Sequence, residues 1–329
     1  MLTRRRVLAA SAAGFACAGT GLLPRARAQA IKKPVHIIVG FPAGGGTDVI
    51  ARILADRLRG PYASTVLVEN KPGAAARIAV EYVKNAEADG SVMLFTPDFP
   101  ITVYPHSFRS LNYDSLRDFT PVAPAAKSML TYNVGPAVPE GVKTLAEFVA
   151  WCKANPGKAS YGTTAAGGTP HFVGMMLASA AGVAMTPVHY RGGAPALQDL
   201  IGGHVPASVN PVSESMTQAK AGTIRILAVT GSRRSPFLPD VPTMVEAGYN
   251  VVVESWLGVF VPSKTPAEVV DALGAAIGEA VKSPAMIENL AKVGNEPRFQ
   301  TPAEFAATVK ADVARWGPVV KASGFIAED

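Results

Sequence analysis

The chain has 329 residues, enough for two domains or one large one. Its 48% apolar and 17% charged residues exclude a disordered chain and a coiled coil, and two cysteines exclude a disulfide framework. The net charge of +6 belongs to the terminus: without the five arginines of residues 1–30 the balance is 26 basic against 25 acidic residues. That excludes a nucleic-acid binder, whose positive groups would cluster in the folded part.

Thr3-Arg4-Arg5-Arg6 is followed by an uncharged Ala- and Gly-rich stretch from Val7 to Leu23, then by Arg25, Arg27 and the triplet Ala28-Gln29-Ala30. A charged head, an apolar middle and a small-x-small end make a secretory signal. The paired arginines before a weakly apolar middle resemble a twin-arginine signal. Residues 1–30 are expected to be cleaved after Ala30, leaving a periplasmic mature chain. The apolar middle is short for a bilayer span, and no later segment is long and apolar enough for one. Cys17 leaves with the signal, so Cys152 alone remains and no internal disulfide is expected.

Strand and helix patterns then alternate. Val35–Val39 is a β-branched run ending at Gly40, and Asp48–Arg59 carries apolar residues at helical spacing. Thr65–Glu69 reads as a strand, Ile78–Lys84 as a helix and Val92–Thr96 as a strand. Further on, Ala159–Thr163, Met185–Tyr190, Val205–Val209 and Arg225–Thr230 are strand candidates separated by helical stretches. The order predicts an α/β fold with mainly parallel sheets flanked by helices. Thr144, Thr265 and Thr301, each followed three residues later by Glu, predict three capping boxes.

Metal and nucleophile motifs are missing: the sequence contains no HExxH, no paired CxxC and no GxSxG. The five histidines are scattered, and His189 is expected in the core rather than as a ligand. Gly40-x-x-x-x-Gly45-Gly46-Thr47 follows a P-loop pattern, but Gly46 replaces the phosphate-binding Lys. No cofactor and no metal are expected, and no catalytic residue is assigned. A hydrolase using Asp48 or His171 as a base would lack a paired nucleophile.

Two glycine-rich loops remain, each following a strand and opening a helix. They are Phe41-Pro42-Ala43-Gly44-Gly45-Gly46-Thr47-Asp48 and Thr164-Ala165-Ala166-Gly167-Gly168-Thr169-Pro170-His171. Glycine admits a close backbone approach, and a helix start offers unpaired N–H groups at a positive dipole end. One such loop per half suits a small molecule carrying one or two carboxylates. Arg191 is the only cation in the candidate loops, so backbone amides are expected to hold the anion.

Ile38-Val39-Gly40-Phe41-Pro42-Ala43-Gly44-Gly45-Gly46-Thr47-Asp48, Val68-Glu69-Asn70-Lys71-Pro72-Gly73, His189-Tyr190-Arg191-Gly192, Asp199-Leu200-Ile201-Gly202-Gly203 and Pro239-Asp240-Val241-Pro242-Thr243 together resemble the Bug family. These are extracytoplasmic receptors of tripartite tricarboxylate transporters, and the likeness runs through the whole mature chain. Ala74-Ala75-Ala76 is less glycine-rich than the family's pattern. The resemblance implies a two-lobed periplasmic-binding-protein fold that closes like a flytrap. Residues 31–131 plus 256–329 would form one lobe and 132–255 the other, with crossings near Tyr132 and Ser255. It implies a monomer that binds a small carboxylate, with membrane permease subunits as partners; a sensor partner without a dedicated permease is the alternative. The expected pocket is Phe41–Asp48 with Thr164, Ala165, Gly167, Gly168, Thr169, His171, Tyr190, Arg191, Gly192 and Asn210, and more weakly Thr96 and Asp98 after the third strand.

Overall fold

The structure, a computed structural model, describes residues 31–327. The expected signal, with Arg4, Arg5 and the cleavage point after Ala30, lies outside the described residues. The first stretch runs β1 (Val35–Val39), α1 (Gly46–Leu58), β2 (Val66–Asn70), α2 (Arg77–Lys84), β3 (Val92–Pro97), α3 (Phe99–Thr102), α4 (Tyr104–Ser107) and β4 (Phe119–Ser128). The middle runs β5 (Leu130–Val134), α5 (Leu145–Ala154), β6 (Ser160–Thr163), α6 (Thr169–Ala181), β7 (Thr186–His189), α7 (Gly193–Ile201), β8 (Ala207–Pro211), α8 (Val212–Lys220) and β9 (Arg225–Val229). The chain then returns through β10 (Ser255–Pro262), α9 (Ala267–Lys282), α10 (Pro284–Lys292), β11 (Glu296–Pro297) and α11 (Pro302–Ser323).

Among these residues two sheets form, ordered β11-β4-β10-β3-β1-β2 and β7-β6-β8-β5-β9. Each is the sheet of one lobe. The pairs β1–β2, β1–β3, β6–β7 and β6–β8 are parallel, as the alternating pattern predicts. The sheets are nonetheless mixed rather than mainly parallel: β10 is antiparallel to β3 and β4, and β5 is antiparallel to β8 and β9. The physical reason is that β5 and β10 arrive from the other lobe. They are not the product of a βαβ crossover, which returns the chain to the same end of the sheet and so makes the strands it joins parallel.

The chain leaves the first sheet at Ser128 and joins the second at Leu130, so Tyr132 already lies inside β5. The return begins at Ser255. The third segment does not stay with the first lobe throughout. Phe305 and Val309 of α11 pack with Phe260 and Ile38, whereas Trp316 and Val320 join a core that both lobes share, with Tyr104 and Phe108 from the first and Tyr132, Phe148 and Phe172 from the second. Each such side chain, fully buried, contributes roughly 1.5–3 kcal/mol of hydrophobic stabilisation.

Thr144 and Thr301 form their boxes: each hydroxyl accepts the amide of the Glu three residues on, and that Glu accepts the Thr amide. Thr265 does not. Pro266 is extended at φ −57°, ψ 143° and α9 starts one residue later, leaving the Thr265 hydroxyl out of reach of the first-turn amides. His189 differs too: β7 is an edge strand, so this residue is exposed rather than in the core. Ala74, Ala75 and Ala76 all adopt positive φ (45°, 54° and 72°), the conformation that glycine would take with less strain.

Candidate functional site

The turn after β1 is shaped from within its own lobe. Asp48, buried in the first turn of α1, accepts the Gly44 amide at 2.9 Å, Arg52 Nε at 3.0 Å and Nη2 at 2.9 Å, and Asn70 Nδ2 at 2.9 Å. Asn70 also donates to the Phe41 carbonyl at 3.0 Å. Burial pushes the Asp48 carboxyl up, but the bonds from Arg52, Gly44 and Asn70 outweigh it and hold the group below its usual range. Asp48 therefore fixes the loop. Phe41, Pro42, Gly45, Gly46 and Thr47 are the part of it that faces the cleft between the lobes.

The room left in that cleft for the centres of water-sized spheres is about 50 Å³. From the second lobe Thr164, Thr169, Gly192 and Gly193 line it. Two acids bridge the lobes across it. Asp98, at the end of β3, accepts the Ser255 hydroxyl at 2.7 Å through Oδ1 and the Thr169 hydroxyl at 3.2 Å through Oδ2. Burial, helped by Asp312, raises its pKa to about 7 against the opposing bonds. Glu214 of α8 reaches the first lobe: its Oε1 accepts the Gly46 amide at 3.2 Å and its Oε2 accepts Asn210 Nδ2 at 3.0 Å. Burial pushes this carboxyl up as well, against those two bonds. The residues lining the cleft include no Lys, Arg or His.

The remaining sequence candidates lie elsewhere. Ala43, Gly44, Ala165, Gly167 and Gly168 do not line the cleft. The Gly167 amide donates to His171 Nδ1 at 3.2 Å and its carbonyl accepts the Ser107 hydroxyl at 2.9 Å. His171 is buried with its ring 4.4 Å from that of Phe325 and 4.7 Å from that of His189, and burial lowers its pKa to about 3. Asp48 and His171 thus share no site. Tyr190 donates to Asp199 at 2.7 Å, Arg191 is exposed, and Thr96 donates to the Pro97 carbonyl. Asn210 stands behind Glu214. Sequence reasoning passed over Ser128, Leu130, Ser213, Glu214 and Ser255, which line the cleft from the crossing strands and the start of α8. One signal was present for α8: like the two glycine-rich loops, it begins at the carboxyl end of a strand.

Residues 50–325 match the tripartite tricarboxylate transporter family receptor. The chain belongs to that family. The receptor is 32% identical over 294 residues to Protein BugT of Bordetella pertussis, covering 89% of this chain and 90% of that one. It is 33% identical over 323 residues to a Cupriavidus necator protein encoded in the gbd 5′ region, covering 95% and 97%. Among solved structures it is similar to Rpa4515 of Rhodopseudomonas palustris with adipate, at a TM-score of 0.85, 32% identity and coverage of 90% and 98%. It is also similar to the periplasmic binding protein BugD, at a TM-score of 0.83, 31% identity and coverage of 90% and 99%. MatC of the same Rhodopseudomonas species, with bound malate, has a TM-score of 0.80 at 27% identity, covering 87% and 98%. The receptor is thus a periplasmic solute-binding protein with a two-lobed fold.

Proposed function

We propose that the receptor captures a small carboxylate-bearing solute in the cleft between its lobes and presents it to the membrane subunits of a tripartite tricarboxylate transporter. The observation that carries this reading is the meeting of two helix starts, α1 and α7, from opposite lobes on one cavity. First-turn amides have no intrahelical acceptor, and the two dipoles point their positive ends at the same space. Adipate and malate are the solutes held by two of the similar structures. The pocket residues proposed are those that line the cleft: Phe41, Pro42, Gly45, Gly46, Thr47 and Asp98 from one lobe, Thr164, Thr169 and Gly192 from the other. The lobes would close about the crossings at Met129 and Glu254. Thermal-shift measurement with mono-, di- and tricarboxylates and amino acids, beside mass spectrometry of the co-purifying solute, tests it. At least one acid should raise the melting temperature; if none does, the reading fails.

We also propose that residues 1–30 export the chain by the twin-arginine route. Changing Arg4 and Arg5 to Lys should then retain the protein in the cytoplasm, and normal export of that variant refutes the route.

A further inference from the structure

An acid site for a free carboxylate leaves one feature of the cleft unaccounted for: the chain already supplies a carboxylate there. Glu214 crosses to the first lobe and takes the Gly46 amide, the helix-start donor that the glycine-rich turn exposes. The surroundings are carved for it. A Cβ on Gly46 would lie 2.5 Å from Ser213 Oγ and 3.6 Å from Glu214 Oε1, and a Cβ on Gly193 would overlap the Glu214 carboxylate. Asn210 Nδ2 holds the other oxygen, so the group is fixed from both lobes. Asp98 places a second acid on the wall of the same cavity, and no cationic side chain lines it.

The charge balance of this cleft therefore runs against a polyanion. Burial pushes both acids toward their neutral forms, and the two or three negative charges of a di- or tricarboxylate would oppose their ionisation further in a poorly hydrated space. A ligand bearing a protonated amine supplies the missing cation, favours the ionised form of Glu214 and makes charge-assisted bonds to it. Its single carboxylate is left the first-turn amides of α1 and α7 that Glu214 does not take.

We propose that Glu214 is the specificity-determining residue of the cleft, and that the receptor takes small acids carrying a protonated amine, chemically amino acids, in preference to di- and tricarboxylates. This rests on the carboxylate-site reading above and narrows it. The test is titration calorimetry on the mature chain with matched probes that differ by the amine: succinate and aspartate, glutarate and glutamate, butanoate and 2-aminobutanoate, 3-phenylpropanoate and phenylalanine. In at least one pair the amine-bearing member should bind roughly tenfold tighter or better, the size of one charge-assisted bond. Glu214→Gln, shown folded by circular dichroism, should erase that preference while leaving the amine-free partner equal or tighter. Wild-type preference for the amine-free member in every pair that binds overturns the proposal and needs no variant. So does an amine preference that survives unchanged in Glu214→Gln. Failure of all eight probes to bind overturns instead the reading of the cleft as a site for small acids.

Discussion

In the first lobe the glycine-rich turn delivers the Gly46 amide into the cleft, where Glu214 of the other lobe takes it, whereas its counterpart in the second lobe spends the Gly167 amide on the start of its own helix. The difference lies in the first helical turn. Gly46-Thr47-Asp48 opens α1 with three amides, and Asp48 folds back to hold Gly44, so the turn is braced from behind and open in front. Thr169-Pro170-His171 opens α6 with a proline, which has no N–H to offer. His171 takes the Gly167 amide, and the Thr169 hydroxyl goes to Asp98 across the gap. A glycine-rich strand-to-helix turn thus announces a close approach of something to the backbone. In both turns it is one of the protein's own side chains, Glu214 at Gly46 and His171 at Gly167, and the two differ in that the first acceptor comes from across the cleft.

Replacing a glycine in each turn should give the largest separation between them. Gly46→Val puts a branched side chain against Ser213 and Glu214 and should weaken ligand binding roughly a hundredfold, about 3 kcal/mol. Gly168→Val meets the ring of Phe99, away from the Glu214 carboxylate, at 3.0 Å and should cost roughly tenfold or less. Calorimetry on variants checked for fold by circular dichroism measures both, and equal losses would erase the distinction.

Two buried groups about the second-lobe turn, Asp98 on the Thr169 hydroxyl and His171 within the turn, should respond oppositely to pH. Burial raises the pKa of Asp98 to about 7, so the folded chain takes this proton more readily than the unfolded one. Its contribution to stability is full below the ordinary value of about 4 and is lost as the pH rises to about 7. His171, lowered to about 3, contributes fully above its ordinary value of about 6.5 and loses that contribution as the pH falls toward 3. Relative to wild type, Asp98→Asn should gain stability as the pH is raised from about 4 to 7, and His171→Phe as it is lowered from about 6.5 toward 4. Urea unfolding across that range reads both slopes; parallel curves would show that neither burial controls stability.

The smallest effect is expected at Arg191, the one cation of the loops read from sequence. It is exposed and does not line the cleft. Arg191→Ala should change affinity by no more than about twofold, the scale of a screened surface charge. A loss above roughly tenfold, about 1.4 kcal/mol, would move the anion-binding role from backbone to guanidinium.

The elements that could be read from sequence are those with a local signature: β1, β2, β3, β6, β7, β8 and β9, the two glycine-rich turns and the capping boxes at Thr144 and Thr301. The crossing strands carry none. β4 reads Phe-Thr-Pro-Val-Ala-Pro-Ala-Ala-Lys-Ser, and its two prolines and its alanines argue against a strand. They are accommodated because Pro121 and Pro124 pair with Phe260 and Gly258 of β10 beside the register shifts, where the hydrogen-bond ladder is interrupted. β10 is buried along its whole length, so it lacks the alternation that marks a half-exposed strand. Glu214 escaped for a different reason. Its partner Gly46 is 168 positions away, and nothing in Pro211-Val212-Ser213-Glu214 says which lobe the side chain will reach.

The insertion of β10 between β3 and β4 also sets an order of events on the ribosome. Until residues 255–262 emerge, β3 and β4 have no strand between them, and each keeps a row of backbone N–H and C=O groups without a neighbour. The first lobe, begun earliest, is therefore finished late. The second sheet is complete once β9 has emerged, and α11 later adds Trp316 and Val320 to a core that residues of both lobes share. A nascent chain cut between β9 and β10 therefore carries one complete sheet, that of the second lobe, beside an open first sheet.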